Sequence, residues 1–100
     1  EAFRLAVFLT SPMSADNWLV YIIRCRDNSL YTGITTDLER RFAQHASGRG
    51  ARYFRGHEPV EIVYHESGHN RSTASRREAA IKRLKTADKW LLIENKTLPE

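Results

Sequence analysis

One hundred residues hold one domain and leave no room for a second of ordinary size. With 41% hydrophobic and 28% charged residues, the composition is that of a soluble globular fold, and Cys25, the single cysteine, excludes an internal disulfide framework. Sixteen Lys and Arg against twelve Asp and Glu give a formal charge of +4, and no run reaches the ~20 apolar residues that a bilayer span needs, so a cytoplasmic location is the default expectation.

The opening EAFRLAVFLTSP has a short apolar patch, LAVFL, too brief for a signal-peptide core. Met13 followed by SADNW looks like an ordinary protein start. Residues 1–12 are therefore expected to be an upstream or vector-derived extension, with the functional domain over 13–96 and a tail over 97–100. WLVYIIRC, Trp18 to Cys25, is a β-branched apolar run and reads as a buried strand, in which Cys25 is an inert thiol. Asp27-Asn28-Ser29 supplies turn residues, and LYTGIT, Leu30 to Thr35, is the returning strand of a hairpin. Gly33 weakens that strand unless another group approaches its backbone closely.

Thr36-Asp37 supplies the expected N-cap of the helix LERRFAQHA, and with Thr36 as the cap Glu39 completes a capping box. A basic loop follows to Glu58, with Tyr53 and Phe54 between arginines. VEIVYH after Pro59 predicts a third strand, and Glu66 to Asn70 a turn. Ser72 or Thr73 should cap a helix over about 74–85, and a last helix is expected from Thr86 or Ala87 to about Asn95. The reading is α+β: a three-stranded, mainly antiparallel sheet flanked by helices, ββαβα plus a terminal helix.

Positive charge falls in two blocks. Arg40, Arg41, Arg49, Arg52 and Arg55 occupy the first, and Arg71, Arg76, Arg77, Lys82, Arg83, Lys85 and Lys89 the second. Such blocks favour a polyanion, because neutralised phosphates release condensed counterions. Within the first helix, Leu38 and Phe42 mark the inner stripe, His45 lies ~20° and Arg41 ~60° from Leu38, so both belong at the boundary of core and solvent. In the later helix Ala74, Ile81 and Leu84 form the apolar stripe and Glu78 sits at its margin, ~60° from Ile81. A carboxylate there needs a partner. Either an arginine forms a structural ion pair with it, or a divalent cation shares it with a substrate phosphate. Tyr21 and Tyr31 project from one side of the hairpin only if paired residue numbers sum to an even value.

The ordered series of Tyr21, YTGIT, LERRFAQH, GARY, PVEIVYHE and the basic segment around Glu78 resembles the GIY-YIG nuclease family. More closely, it is similar to the small single-domain bacterial members related to Slx-type structure-specific nucleases. The match runs from Trp18 to about Glu94. The resemblance implies a metal-dependent endonuclease on DNA, with branched, flap or single-stranded substrates in view, RNA also compatible with the charge, and a role in DNA repair or processing. It implies catalytic roles for Tyr21, Tyr31, Arg41, His45 and Glu78, with Gly33 structural beside them. Arg41 would contact the scissile phosphate, and Glu78 would bind one Mg²⁺ or Mn²⁺. Tyr21 is the expected base, its acidity raised by nearby cations, and Tyr31 an orienting group. Arg40, Arg49, Arg52, Arg55, Arg77, Lys82 and Lys85 would hold the nucleic acid backbone, while Tyr53 and Phe54 either stack on bases or leave one ring tucked under the loop. The chain departs from the pattern at Leu19-Val20-Tyr21, which lacks the first glycine, at Thr32, and at Ile34, where some members carry a lysine that helps activate the nucleophile. Two other readings keep the charge without the chemistry acting alone: a non-catalytic nucleic-acid-binding module, and a nuclease subunit active only beside a protein partner.

Overall fold

A computed structural model describes residues 16–97. The expectations for residues 1–12 and for the last three residues lie outside the described residues. Three strands, β1 (Trp18–Cys25), β2 (Leu30–Thr35) and β3 (Pro59–His69), form one antiparallel sheet in the order β2-β1-β3. Helix α1 (Leu38–Ala46) follows β2, a 3₁₀ turn (Arg52–Arg55) interrupts the basic loop, and α2 (Arg71–Lys82) and α3 (Thr86–Thr97) follow β3. The expected α+β layout is the observed one. No helix among the described residues is long and apolar enough to cross a membrane.

β1 is apolar at nearly every position because it is the middle strand and is covered on both faces. Val20 and Ile22 point to one side, where Tyr64, Ala74, Ile81 and Ile93 complete a buried cluster under α2 and α3. Tyr21, Ile23 and Cys25 point to the other, against Phe54 and the inner side of α1, where Leu38 and Phe42 pack. Cys25 is buried, as expected. The sheet therefore carries two cores, one on each face.

The hairpin turn is built by Asp27, whose Oδ1 accepts from the Ser29 N–H at 3.1 Å and the Ser29 hydroxyl at 2.7 Å, with Asn28 at φ 69°. Those Ser29 bonds, joined by His57, hold the Asp27 carboxyl down at about 2. His57 Nδ1 lies 2.7 Å from Asp27 Oδ2, and its ring stacks on Tyr53 at 4.2 Å, which ties the basic loop to the turn.

Four boundaries differ from the sequence reading. The N-cap of α1 is Asp37, not Thr36: Thr35 Oγ1 accepts from the Asp37 N–H, Asp37 adopts extended geometry, and its Oδ1 accepts from the Arg40 N–H at 3.2 Å. Asp37 thus displaces the Thr36–Glu39 capping box. β3 runs on through Glu66 to His69, where a turn was expected, because His69 still pairs with Trp18 across register shifts in the ladder and Gly68 takes φ 81°. α2 starts earlier, capped by Asn70, whose side chain accepts from Thr73 N–H while the Thr73 hydroxyl accepts from Asn70 N–H. It also ends earlier, at Lys82, so Leu84 leaves the apolar stripe and is 38% exposed.

Candidate active site

The hairpin register pairs Tyr21 with Gly33 and Ile23 with Tyr31, an even sum, so both tyrosines lie on the α1 face. Gly33 has a steric reason here: a Cβ on it would come within 2.6 Å of Tyr21 Cζ, so the phenol ring lies directly over the glycine backbone. The ring centroids of Tyr21 and Tyr31 are 6.4 Å apart.

Helix α1 brings His45 and Arg41 to the same place. His45 is not at the boundary; it is 1% exposed, covered by Phe54 at 4.3 Å between ring centroids and by Gly50, on which any side chain would strike the imidazole. Its Nδ1 accepts the Ala51 N–H at 3.1 Å, so the proton of the neutral ring sits on Nε2, which donates to the Tyr21 hydroxyl oxygen at 2.9 Å. Burial, then the Arg41 charge, depress the imidazole to about 4. Protonation would aim an Nδ1–H at the Ala51 N–H.

That arrangement predicts an acid-sensitive fold. The unfolded chain takes up the His45 proton near the usual histidine value, ~6.5, and the folded protein only near 4, so stability is full above pH 6.5 and falls as pH drops. The loss is about 2 kcal/mol by pH 5, above the range where carboxylates titrate, and about 3 kcal/mol by pH 4. Urea unfolding at pH 7 and pH 5 measures it, and His45→Gln should remove that part of the slope; an unchanged slope in the variant would assign the effect elsewhere.

Tyr21 is 1% exposed, and its acidity is opposite to the expected one: burial, with the neighbouring Tyr31, pushes the hydroxyl up to about 12. Arg41 is close enough to act against that rise, and Glu78 close enough to add to it. Arg41 Nη1 also donates to Gln44 Oε1 at 2.8 Å, which fixes the guanidinium at the half-buried rim of α1.

Glu78 arrives from α2. Ala74 and Ile81 point into the core under the Val20 face, and the helix flank carrying Glu78 and Lys82 comes past β2, the edge strand, to the tyrosines. Lys82 Nζ lies 5.5 Å from the Tyr31 ring centroid and 3.2 Å from Glu78 Oε2. The partner of the half-buried Glu78 carboxylate is thus a lysine one turn on, not an arginine. Tyr21, Tyr31, Gly33, Arg41, His45 and Glu78 form one constellation from β1, β2, α1 and α2.

A model of the GIY-YIG catalytic domain matches residues 17–90. The chain belongs to the GIY-YIG family. Among relatives of this GIY-YIG domain, a UPF0213 protein of Desulfotalea psychrophila is 50% identical over 78 residues, or 77% of this chain and 71% of its own. A UPF0213 protein of Natronomonas pharaonis is 47% identical over 85 residues, 85% of this chain and 99% of its own. The solution NMR structure of a UPF0213 protein from Bacillus halodurans shares the fold with a TM-score of 0.53 at 41% identity, covering 82% of this chain and 87% of that one.

The proposed backbone contacts of the GIY-YIG domain divide. Arg40, Arg49, Arg52, Arg55, Lys82 and Lys85 are exposed, while Arg77 is engaged on the opposite face of the sheet, its Nε 3.0 and 3.2 Å from the two oxygens of Glu66. Glu66 also takes His69 Nε2 at 2.8 Å and the Tyr64 hydroxyl, so Arg77 belongs to a closed polar network of β3 and α2. Of the loop aromatics, Phe54 is the tucked ring, 8% exposed, and Tyr53 is half-buried. The parts missed from sequence are Gly50, the packing of Phe54 on His45, and the pairing of Lys82 with Glu78. The signal for the first two was the run GRGARYF, whose glycine and aromatics close over the helix that precedes it.

Proposed function

We propose that this GIY-YIG domain is a divalent-metal-dependent endonuclease that hydrolyses DNA phosphodiester bonds, guided by backbone and strand structure rather than by long sequence readout, in cytoplasmic DNA repair or processing. The observation that carries the reading is that a cation and a carboxylate from different helices flank the tyrosine pair: Glu78 through its bond to Lys82, which lies over the Tyr31 ring, and Arg41 near enough to act on the Tyr21 hydroxyl.

Glu78 suits a metal of a particular kind. It is one half-buried carboxylate, and among the described residues no group of three or more His, Cys, Asp or Glu side chains comes together. Mg²⁺ or Mn²⁺ fits such a site, because it keeps waters and shares phosphate oxygens with few protein ligands. Bound by Glu78, such an ion would neutralise phosphate charge and stabilise the leaving oxygen. Arg41 would hold the non-bridging oxygens of the scissile phosphate. Tyr21, in the phenolate form left once its hydroxyl proton has passed to solvent, would accept the proton of the attacking water, with Tyr31 orienting that water. Burial favours the neutral phenol, but Arg41 and the His45 Nε2–H both favour the anion, so they set how readily Tyr21 exchanges its proton. His45 itself is a donor here: its one acceptor nitrogen is already taken by Ala51. The exposed arginines around Gly48 to His57 and the basic end of α2 would supply sequence-independent attraction to phosphates.

The test is purified protein with Mg²⁺ or Mn²⁺ against single-stranded, duplex, flap and branched DNA, read by gel. Cleavage that chelation stops and that Arg41→Ala removes is the expected outcome. Binding without cutting would leave a non-catalytic module in its place, and cutting only after a partner protein is added would make this a dependent subunit.

A further inference from the structure

Beside the catalytic constellation lies a cavity of about 290 Å³, at the end of the sheet where β2 turns into α1. Arg41 belongs to both, so the cavity adjoins the point where the scissile phosphate would be held. Its walls combine chemistry that phosphate attraction alone does not need: the indole of Trp18, the apolar side chain of Ile34, the hydroxyl residue Thr36, Arg40 and the carboxamide of Gln44. We infer that this cavity receives one unpaired nucleobase, that of a nucleotide next to the cleaved bond in a DNA single strand. The inference rests on the endonuclease reading and deepens it by naming the substrate class.

Shape and lining decide what enters. Asp37 also lines the cavity, its carboxylate engaged in capping the Arg40 N–H, so the interior is not a purely cationic phosphate cradle. A planar base finds there an aromatic wall, an apolar wall and a hydrogen-bonding carboxamide. The base gains an aromatic wall in Trp18, and the guanidinium of Arg71 lies 5.4 Å from that ring's centroid, adding positive charge beside it. Gln44 Oε1 accepts from Arg41, and its amide nitrogen supplies donors to a base edge. Arg40 is exposed at the mouth, where the sugar-phosphate backbone would pass. A base stacked inside a duplex cannot reach such a cavity without leaving its stack. The site therefore favours a strand that is already unpaired at the cut, as in a flap or a single-stranded segment, over continuous duplex.

The experiment uses the Glu78→Gln protein, expected to hold DNA without cutting it, and seven-nucleotide single strands with 2-aminopurine placed at each position in turn. Stacking quenches this base, so at one or two positions the fluorescence of the bound strand should fall several-fold below that of the free strand. Trp18→Ala should restore it to the free-strand level while anisotropy still reports binding through the basic residues, and Trp18→Phe should keep most of the quench. Absence of quench at every position, or full quench in Trp18→Ala, overturns the assignment. Cleavage of the same strands by the unmutated protein is scored separately: cutting without the quench removes the base site alone, and quench without cutting removes the nuclease reading.

Discussion

Glu78→Gln should lower DNA cleavage by roughly a thousandfold or more and leave DNA affinity nearly unchanged. The substitution keeps the shape of the side chain and removes a carboxylate at the rim of the tyrosine cluster. A metal held there, as proposed, would contribute several kcal/mol of charge stabilisation at the phosphate, and about 4 kcal/mol corresponds to three decades in rate. Binding is governed by other residues, since the exposed cations surrounding the site are retained. If anything, removing a negative charge and releasing Lys82 from its ion pair strengthens attraction to phosphate. Single-turnover cleavage and fluorescence anisotropy on one substrate separate the two quantities. Undiminished cleavage in this variant would show that the metal is held elsewhere, whereas parallel loss of binding would make Glu78 a structural residue.

Gly33→Ala should destabilise the fold by about 1–3 kcal/mol and remove most cleavage with it. The new methyl would lie 2.6 Å from Tyr21 Cζ, closer than a Cβ sits to such an atom, and a tight 3.1 Å from Cε2. Neither partner can move away cheaply. Gly33 is fixed by its pairing opposite Tyr21, and the phenol is anchored through its hydroxyl to a buried imidazole. The ring must swing off the strand, which breaks the bond to His45 and withdraws the hydroxyl from Arg41 and Glu78. Gly56→Ala is the control, since nothing lies within 4 Å of a Cβ there and its φ is −113°; that variant should stay within about 0.5 kcal/mol of the parent. Chemical unfolding and cleavage measured on both variants test the claim. Equal stability of the two would show that the ring does not need the glycine.

The hairpin is legible in the sequence because its cause is local. Trp18 to Cys25 and Leu30 to Thr35 announce themselves by composition, and the turn residues between them allow few connections, so both strands begin and end where expected. Even the condition for a shared tyrosine face follows from the residue numbers, though only the register decides it. Glu78 at the margin of its helix is legible for the same reason, since a 3.6-residue period is a local property. What escapes depends on distant contacts. His45 looks like a boundary residue on a helical wheel, and only the return of Gly50 and Phe54 over α1 buries it and, with burial, sets its tautomer. β3 is longer than its sequence suggests because register shifts and Gly68 break the alternation that marks a strand. The acidity of Tyr21 runs against expectation, because neighbouring cations can be guessed from sequence and the depth of a ring in the core cannot.

The register that pairs Tyr21 with Gly33 has a consequence for when the molecule can act. A slip of one residue between β1 and β2 would turn Tyr31 to the opposite side of the sheet and lift the phenol off the glycine. Four separate elements must then find their places before the cation, the carboxylate and the phenol meet, and the last of them in chain order, α2, supplies the carboxylate. A partly folded chain keeps its positive charge and can still cling to DNA, but it lacks the assembled blade. On the proposed endonuclease reading, competence to cut would be tied to completion of folding, a safeguard that a nuclease with its whole site on one loop would not have.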